Sequence, residues 1–320
     1  MKLGVFTVLF GQYPLEQALD KVQEAGLQAV ELGTGGYPGN THCNPRVLLD
    51  NPQELTRLKE AVAARGLAIS ALSCHGNPLH PNADIAGQHH DDFVHTVRLA
   101  EELGVDTVVT FSGCPGDSEQ ARYPSWATCA WPPDFQEVLD WQWSEKVLPY
   151  WQEQSVMCRQ YGVRVAIEAH PGFVVYNTET ALRLRAEAGS NIGVNFDPSH
   201  LFWQGMDPVE CIKQLGSAIY HVHAKDTSID KRNTALNGVL DVKPYNRELE
   251  RSWIFRTIGY GHGLEEWQNL ISTLTKVGYD GVISIEHEDS LMSVDEGFRK
   301  AARFLSQAVI GEKAGEMWWA

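Results

Sequence analysis

The chain has 320 residues, 43% hydrophobic and 21% charged, the balance of an ordinary globular protein. Its 26 basic and 41 acidic side chains leave a net charge of −15, which repels a phosphate backbone, so no nucleic-acid partner is expected. Apolar runs fall far short of the ~20 residues of a membrane helix, Met1–Phe6 lacks a signal-peptide pattern, and six cysteines form no C-x-x-C pair. A reduced, cytoplasmic protein with no membrane partner is the expectation.

The first strand is expected at Leu3–Leu9. A helix follows, because Leu15, Ala18, Leu19, Val22 and Ala25 fall on one face at helical spacing. Gly26 then precedes a second strand-like run, Leu27–Leu32. The next helix opens at Asn51-Pro52, a capping residue followed by a proline suited to the first turn. The same punctuation recurs down the chain. Gly66, Gly104, Gly162, Gly189, Gly216 and Gly278 each end a helical segment just before an apolar run. Seven such junctions and the first strand make eight strands alternating with helices. The α/β pattern predicts a closed (β/α)8 TIM barrel, a single domain over residues 1–310 with a tail at 311–320. An open doubly wound sheet is the alternative. It is disfavoured because Phe10-Gly11-Gln12-Tyr13-Pro14 is not a Gly-rich phosphate turn.

Two βα loops are extended. The loop after strand four runs from Ser112 to Pro133 and carries Trp126 and Trp131, which suit a lid over substrate. The loop after strand seven runs from Lys225 to about His262. The tail, with Trp318 and Trp319, suits either packing on its own barrel or docking on a second copy in a homo-oligomer.

In such barrels the chemistry sits at the C-terminal ends of the strands. Strand five ends in Glu168-Ala169-His170, strand six in Asp197-Pro198-Ser199-His200, and strand seven in His221-Val222-His223-Ala224-Lys225-Asp226. Strand eight ends in Glu286-His287-Glu288. Side chains alternate faces along a strand. Ile283 and Ile285 suit the helix-facing side, which turns Glu286 inward, and the same reasoning turns Glu168, Asp197 and His223 inward. Three carboxylates and an imidazole crowded at one level call for a cation. The oxygen-rich set with one imidazole suits Mn²⁺, Mg²⁺ or Co²⁺ more than a structural zinc. Glu31, ending strand two, is a weaker candidate. His42, His80, His89, His90 and His95 read as surface residues, and the thiols as structural.

The motifs Ile167-Glu168-Ala169-His170, Asn195-Phe196-Asp197-Pro198-Ser199-His200, His221-Val222-His223-Ala224-Lys225-Asp226 and Ile285-Glu286-His287 resemble those of the sugar phosphate isomerase/epimerase family, the xylose isomerase-like TIM barrels. The resemblance implies one divalent metal on Glu168, Asp197, His223 and Glu286, commonly Mn²⁺ with Mg²⁺, Co²⁺ or Zn²⁺ as alternatives, and Glu168 and Glu286 doubling as acid and base. It implies that His200 contacts substrate or metal. The DNA-repair branch of that superfamily needs zinc ligands that the fourth strand end, Thr110-Phe111-Ser112-Gly113-Cys114, does not supply. Ketose 3-epimerases place an arginine where this chain has Ile229.

The expected activity is therefore a metal-dependent isomerase or epimerase acting on a keto sugar or related polyol through an enediolate. A lyase or dehydratase acting on a 3-oxo-sugar or inosose is the alternative, and an apurinic endonuclease-like hydrolase is a remoter one. His75, His200, Lys225, His170, His221 and Arg256 form the candidate substrate-binding set. The absence of a basic phosphate pocket favours an unphosphorylated sugar.

Overall fold

In the computed structural model, which describes residues 1–313 and 315–319, the punctuating glycines behave alike. Gly26, Gly66, Gly104, Gly162, Gly189, Gly216 and Gly278 all have positive φ. At Gly104, φ is 68° and the amide N–H returns to the carbonyls of Ala100 and Glu101, closing the helix Ala83–Leu103. A Cβ is disfavoured in that left-handed conformation, so glycine ends the helix without strain. The helix Pro52–Ala63 starts as its sequence predicts. The Asn51 side chain accepts from the amides of Gln53 and Glu54.

The strands in chain order are β1 (Lys2–Phe6), β2 (Ala29–Gly33), β3 (Ala68–Ser73), β4 (Thr107–Phe111) and β5 (Arg164–Glu168). There follow β6 (Ile192–Phe196), β7 (Ile219–Ala224), β8 (Asp226–Ile229), β9 (Trp253–Arg256) and β10 (Val282–Ile285). All but β8 and β9 join one closed parallel barrel in the order β1-β10-β7-β6-β5-β4-β3-β2. Closure is made by β1, which pairs Lys2 with Val282 on one side and Phe6 with Glu31 on the other. The (β/α)8 barrel holds, and the open-sheet alternative does not.

Val5, Val30, Leu32, Val165, Ile167, Phe196, Ile283 and Ile285 are buried in the main core. A separate small cluster, Ala71, Val109 and Ala166, packs with Tyr220. Tyr220 is an extra residue in β7: Val194 pairs with Ile219, and the next residue, Asn195, pairs with His221. The ring lies where a side chain on Gly193 would stand, so the bulge depends on glycine there.

The extended loops differ from expectation in one respect each. The seventh loop contains an antiparallel hairpin in which Asp226 pairs with Arg256 and Ile229 with Trp253. The loop after β4 is pinned. The Gln142 amide donates to the carbonyls of Pro115, Gly116 and Ser125, and Trp126 packs edge-on to Tyr176. Trp131 is 78% exposed. The last helix ends at Ala308, and the tail residues Trp318 and Trp319 stand exposed at 88% and 68%, not packed on the barrel. Ala314 and Ala320 of the tail lie outside the described residues. No helix among the described residues is long and apolar enough to cross a membrane.

Candidate active site

The ends of β5, β6, β7 and β10 bring Glu168, Asp197, His223 and Glu286 together. One ligand atom from each lies within 4.8 Å of all the others. His223 Nδ1 is 3.2 Å from Glu168 Oε2 and 3.0 Å from Glu286 Oε2. Three of these atoms, Asp197 Oδ2, His223 Nδ1 and Glu286 Oε2, are buried and form no well-oriented hydrogen bond. Lys225 Nζ lies 3.1 Å from Asp197 Oδ2 and 2.9 Å from Glu286 Oε2, an attraction of charge without hydrogen-bond geometry. Buried acceptors left this way carry a desolvation cost that a cation relieves. Three carboxylates and one imidazole form a donor set that fits a divalent metal.

Each ligand is held from behind. Glu168 Oε2 accepts from Asn195 Nδ2 at 2.7 Å and faces His75 Nε2 at 3.1 Å. Its Oε1 faces His200 Nε2 at 3.2 Å, and the same nitrogen lies 3.1 Å from Asp197 Oδ2. Asp197 Oδ1 accepts from the amide of Ser199 at 2.9 Å. Burial alone would raise the carboxyl pKa values. The facing side chains prevail: His75, His200 and His223 hold Glu168 well below the usual range, and Lys225 and His200 lower Asp197. Burial likewise opposes the charged form of His200, yet Asp197 pushes that imidazole up to about 9. His170 goes the other way, down to about 3, through burial and the neighbouring His200.

A cleft of about 590 Å³ opens onto these strand ends. Glu168, Glu286, His75, His170, Lys225 and Glu288 supply its polar lining. Phe6, Val8, Tyr37 and Phe111 supply an apolar wall. A larger hollow, of about 850 Å³, lies at the other end of the barrel beside Met1, Tyr279 and Lys313, away from this cluster.

Several expected substrate ligands sit elsewhere. His221 is inward-facing but deeper, and its Nε2 is 2.9 Å from Glu31 Oε2. Two residues along a strand is a step of about 6.6 Å, so a shared face is not a shared level. His200 is 1% exposed and lies behind Glu168 and Asp197, outside the cleft lining. Arg256 is drawn away by Asp289, whose Oδ2 is 3.1 Å from its Nε, and is also outside the lining. Neither Trp126 nor Trp131 lines the cleft.

Glu31, the weaker candidate in the sequence, is fully buried beneath the site. His42, His80, His89, His90 and His95 are half-buried and outside the cleft lining, His89 packing edge-on behind Tyr37. The thiols of Cys43, Cys74, Cys114 and Cys158 are pushed up to about 12 by burial, which suits structural residues.

Residues 19–308 match the family model described as xylose isomerase-like TIM barrel. The chain belongs to that family. It is 36% identical over 312 residues to the uncharacterized protein YfiH of Bacillus subtilis (strain 168), covering 97% of this chain and 99% of that one. It is 22% identical to an inosose dehydratase of Geobacillus thermodenitrificans (strain NG80-2), covering 93% and 91%. A crystal structure of an IolI protein with a zinc atom superposes with a TM-score of 0.66 at 20% identity, covering 97% and 98%. Solved sugar 3-epimerases share the xylose isomerase-like barrel as well. Proteins similar to this chain thus include an inosose dehydratase by sequence and sugar 3-epimerases by fold.

Proposed function

We propose that this chain is a divalent-metal-dependent isomerase or epimerase of a keto sugar or related polyol. One observation carries the reading. Glu168 and Glu286, from strands separated by β6 and β7, face the same His223 nitrogen and line the same cleft. Two carboxylates so placed can reach one substrate carbon, or two adjacent ones, from different sides.

Glu168, Asp197, His223 and Glu286 would hold the metal, with Mn²⁺ the ion of choice. When bound, it supplies Lewis acidity and a template for a carbonyl and a neighbouring hydroxyl. One glutamate removes the proton from the carbon beside the carbonyl, leaving an enediolate, and the other glutamate returns a proton. Return to the opposite face of the same carbon epimerises the sugar. Return to the former carbonyl carbon isomerises it. His75, His170 and Lys225 are placed to hydrogen-bond sugar hydroxyls, and Phe6 and Phe111 pack against its C–H faces. The three glutamates of the lining repel a phosphate, which supports an unphosphorylated substrate in a cytoplasmic enzyme.

A second reading, dehydration of an inosose-type ketone, rests on the likeness to a named inosose dehydratase. The enediolate would then expel a neighbouring hydroxyl, which leaves as water after taking a proton from a glutamate.

The test is metal analysis followed by turnover of keto sugars and inososes in D₂O. Deuterium beside the carbonyl with an epimerised or isomerised product is the expected result; an enone product selects the dehydratase. Glu168→Gln and Glu286→Gln should each lower turnover by about 10²–10⁴-fold. A chain that binds no divalent metal, or keeps full turnover in both variants, overturns the proposal.

A further inference from the structure

Behind the metal-facing histidine lies a carboxylate that the proposed chemistry does not use. Glu31 ends up fully buried, where an ionised carboxylate is expensive unless each lone pair finds a donor. It finds four donor groups. Ser73 Oγ and Ser284 Oγ donate to it, the latter at 2.6 Å. His221 Nε2 lies 2.9 Å from Oε2, and His223 Nε2 lies 2.9 Å and 3.0 Å from the two oxygens. These partners come from β3, β7 and β10, so three strands besides its own converge on one side chain. An acceptor-only carboxylate requires the hydrogen of His223 to be on Nε2. In the neutral imidazole that ligates a metal the lone pair is then on Nδ1, the nitrogen that faces Glu168 and Glu286. Phe6 stacks on the same imidazole with ring centres 5.7 Å apart and planes 26° apart, which limits rotation of the ring.

We infer that Glu31 is the positioning residue of the metal centre: it fixes His223 in the tautomer and orientation that present Nδ1 to the cation. This rests on the metal-site reading above. A buried carboxylate with a purely structural task would be replaceable by apolar packing of similar volume at little cost. Here the acceptor faces the far nitrogen of a ligand histidine, the arrangement that raises ligand basicity and orders the ring before metal arrives. His221 belongs to the same device. Lying one level deeper, it faces Oε2 of Glu31 together with Ser284 and braces the carboxylate from below.

The experiment measures Mn²⁺ and Zn²⁺ affinity by calorimetry on metal-stripped full-length protein, well below the melting transition recorded for each variant. Glu31→Gln puts an N–H where an acceptor is needed. It should weaken metal binding about 10–100-fold. Ser284→Ala and His221→Gln, which loosen Glu31 without touching a ligand, should give smaller losses in the same direction. Wild-type affinity in folded Glu31→Gln overturns the inference. If that variant does not fold, unchanged affinity in both Ser284→Ala and His221→Gln overturns it instead. The unmodified chain separates the two readings. If it binds metal but turns over no ketone, only the proposed function fails. If it binds metal and the variants match it, only this inference fails.

Discussion

Replacing Lys225 by Met tests the charge balance of the site most directly. Its ammonium is 2% exposed, 3.1 Å from Asp197, 2.9 Å from Glu286 and 3.3 Å from Glu288. At an effective dielectric of about 20, each of the two nearest pairs has a gross attraction of about 5 kcal/mol. Most of that offsets desolvation of the three charges, and removing one member of a buried group typically costs about 3–5 kcal/mol net. The reason is the carboxylates left behind: Asp197 and Glu286 then face each other and Glu168 with one cation fewer. In metal-free protein the loss should lower Tm by roughly 6–10 °C, taking the lower end of the shift per kcal/mol because the chain is long. On the proposed reading, a divalent metal would bind the same oxygens that Lys225 neutralises. Saturating Mn²⁺ should therefore raise the Tm of the variant by more than it raises that of the unmodified protein. Differential scanning calorimetry with and without EDTA reads both quantities. A metal-free Lys225→Met protein melting within about 2 °C of the parent, or gaining no more from metal, would refute the reasoning.

Two further substitutions probe the scaffold. Gly193→Ala would drive a methyl group into the Tyr220 ring and within 2.5 Å of the Ala218 carbonyl. Urea unfolding should report a loss of about 1–3 kcal/mol, and an unchanged midpoint would mean that β7 can shed its bulge. Arg256→Ala removes the partner of Asp289, whose carboxylate is otherwise held by the amides of Thr257 and Leu291. Stability should fall by about 1–3 kcal/mol while KM for the substrate stays at the parent value. A tenfold rise in KM, about 1.4 kcal/mol in binding terms, would return Arg256 to the substrate site.

The barrel was legible because its signals are local. A glycine at each helix end and an apolar run after it can be read within a few residues, and the seven positive φ values follow from them. Strand alternation was enough to turn Glu168, Asp197, His223 and Glu286 to one side. Depth was not legible from alternation. His221 shares the face of His223 but occupies the layer below, and the bulge at Tyr220 shifts the strand further. Pairings across long separations were also hidden. Glu31 meets His221 and His223 190 and 192 residues away. Nothing near Glu31 in the chain distinguishes it from a loop carboxylate. Arg256 and Asp289 meet only because β8 and β9 form a hairpin, whose strands are short and sit within a segment read as loop.

The hairpin also divides the seventh loop into parts with different freedom. Asp226 sits one residue after Lys225. Its carboxylate accepts from the amides of Thr227, Gly259, Gly261 and His262 and faces His262 Nδ1 at 2.8 Å. Both ends of the loop are thereby tied to a single side chain at the barrel rim. Residues 230–251 leave and return through adjacent strand ends, Ile229 opposite Trp253. Length or sequence can change in that excursion without moving Lys225 or the metal-facing groups. The fold thus separates a fixed chemical floor from an exchangeable rim. A segment grafted between Ile229 and Trp253 would change the surface beside the cleft while leaving the cleft lining itself intact.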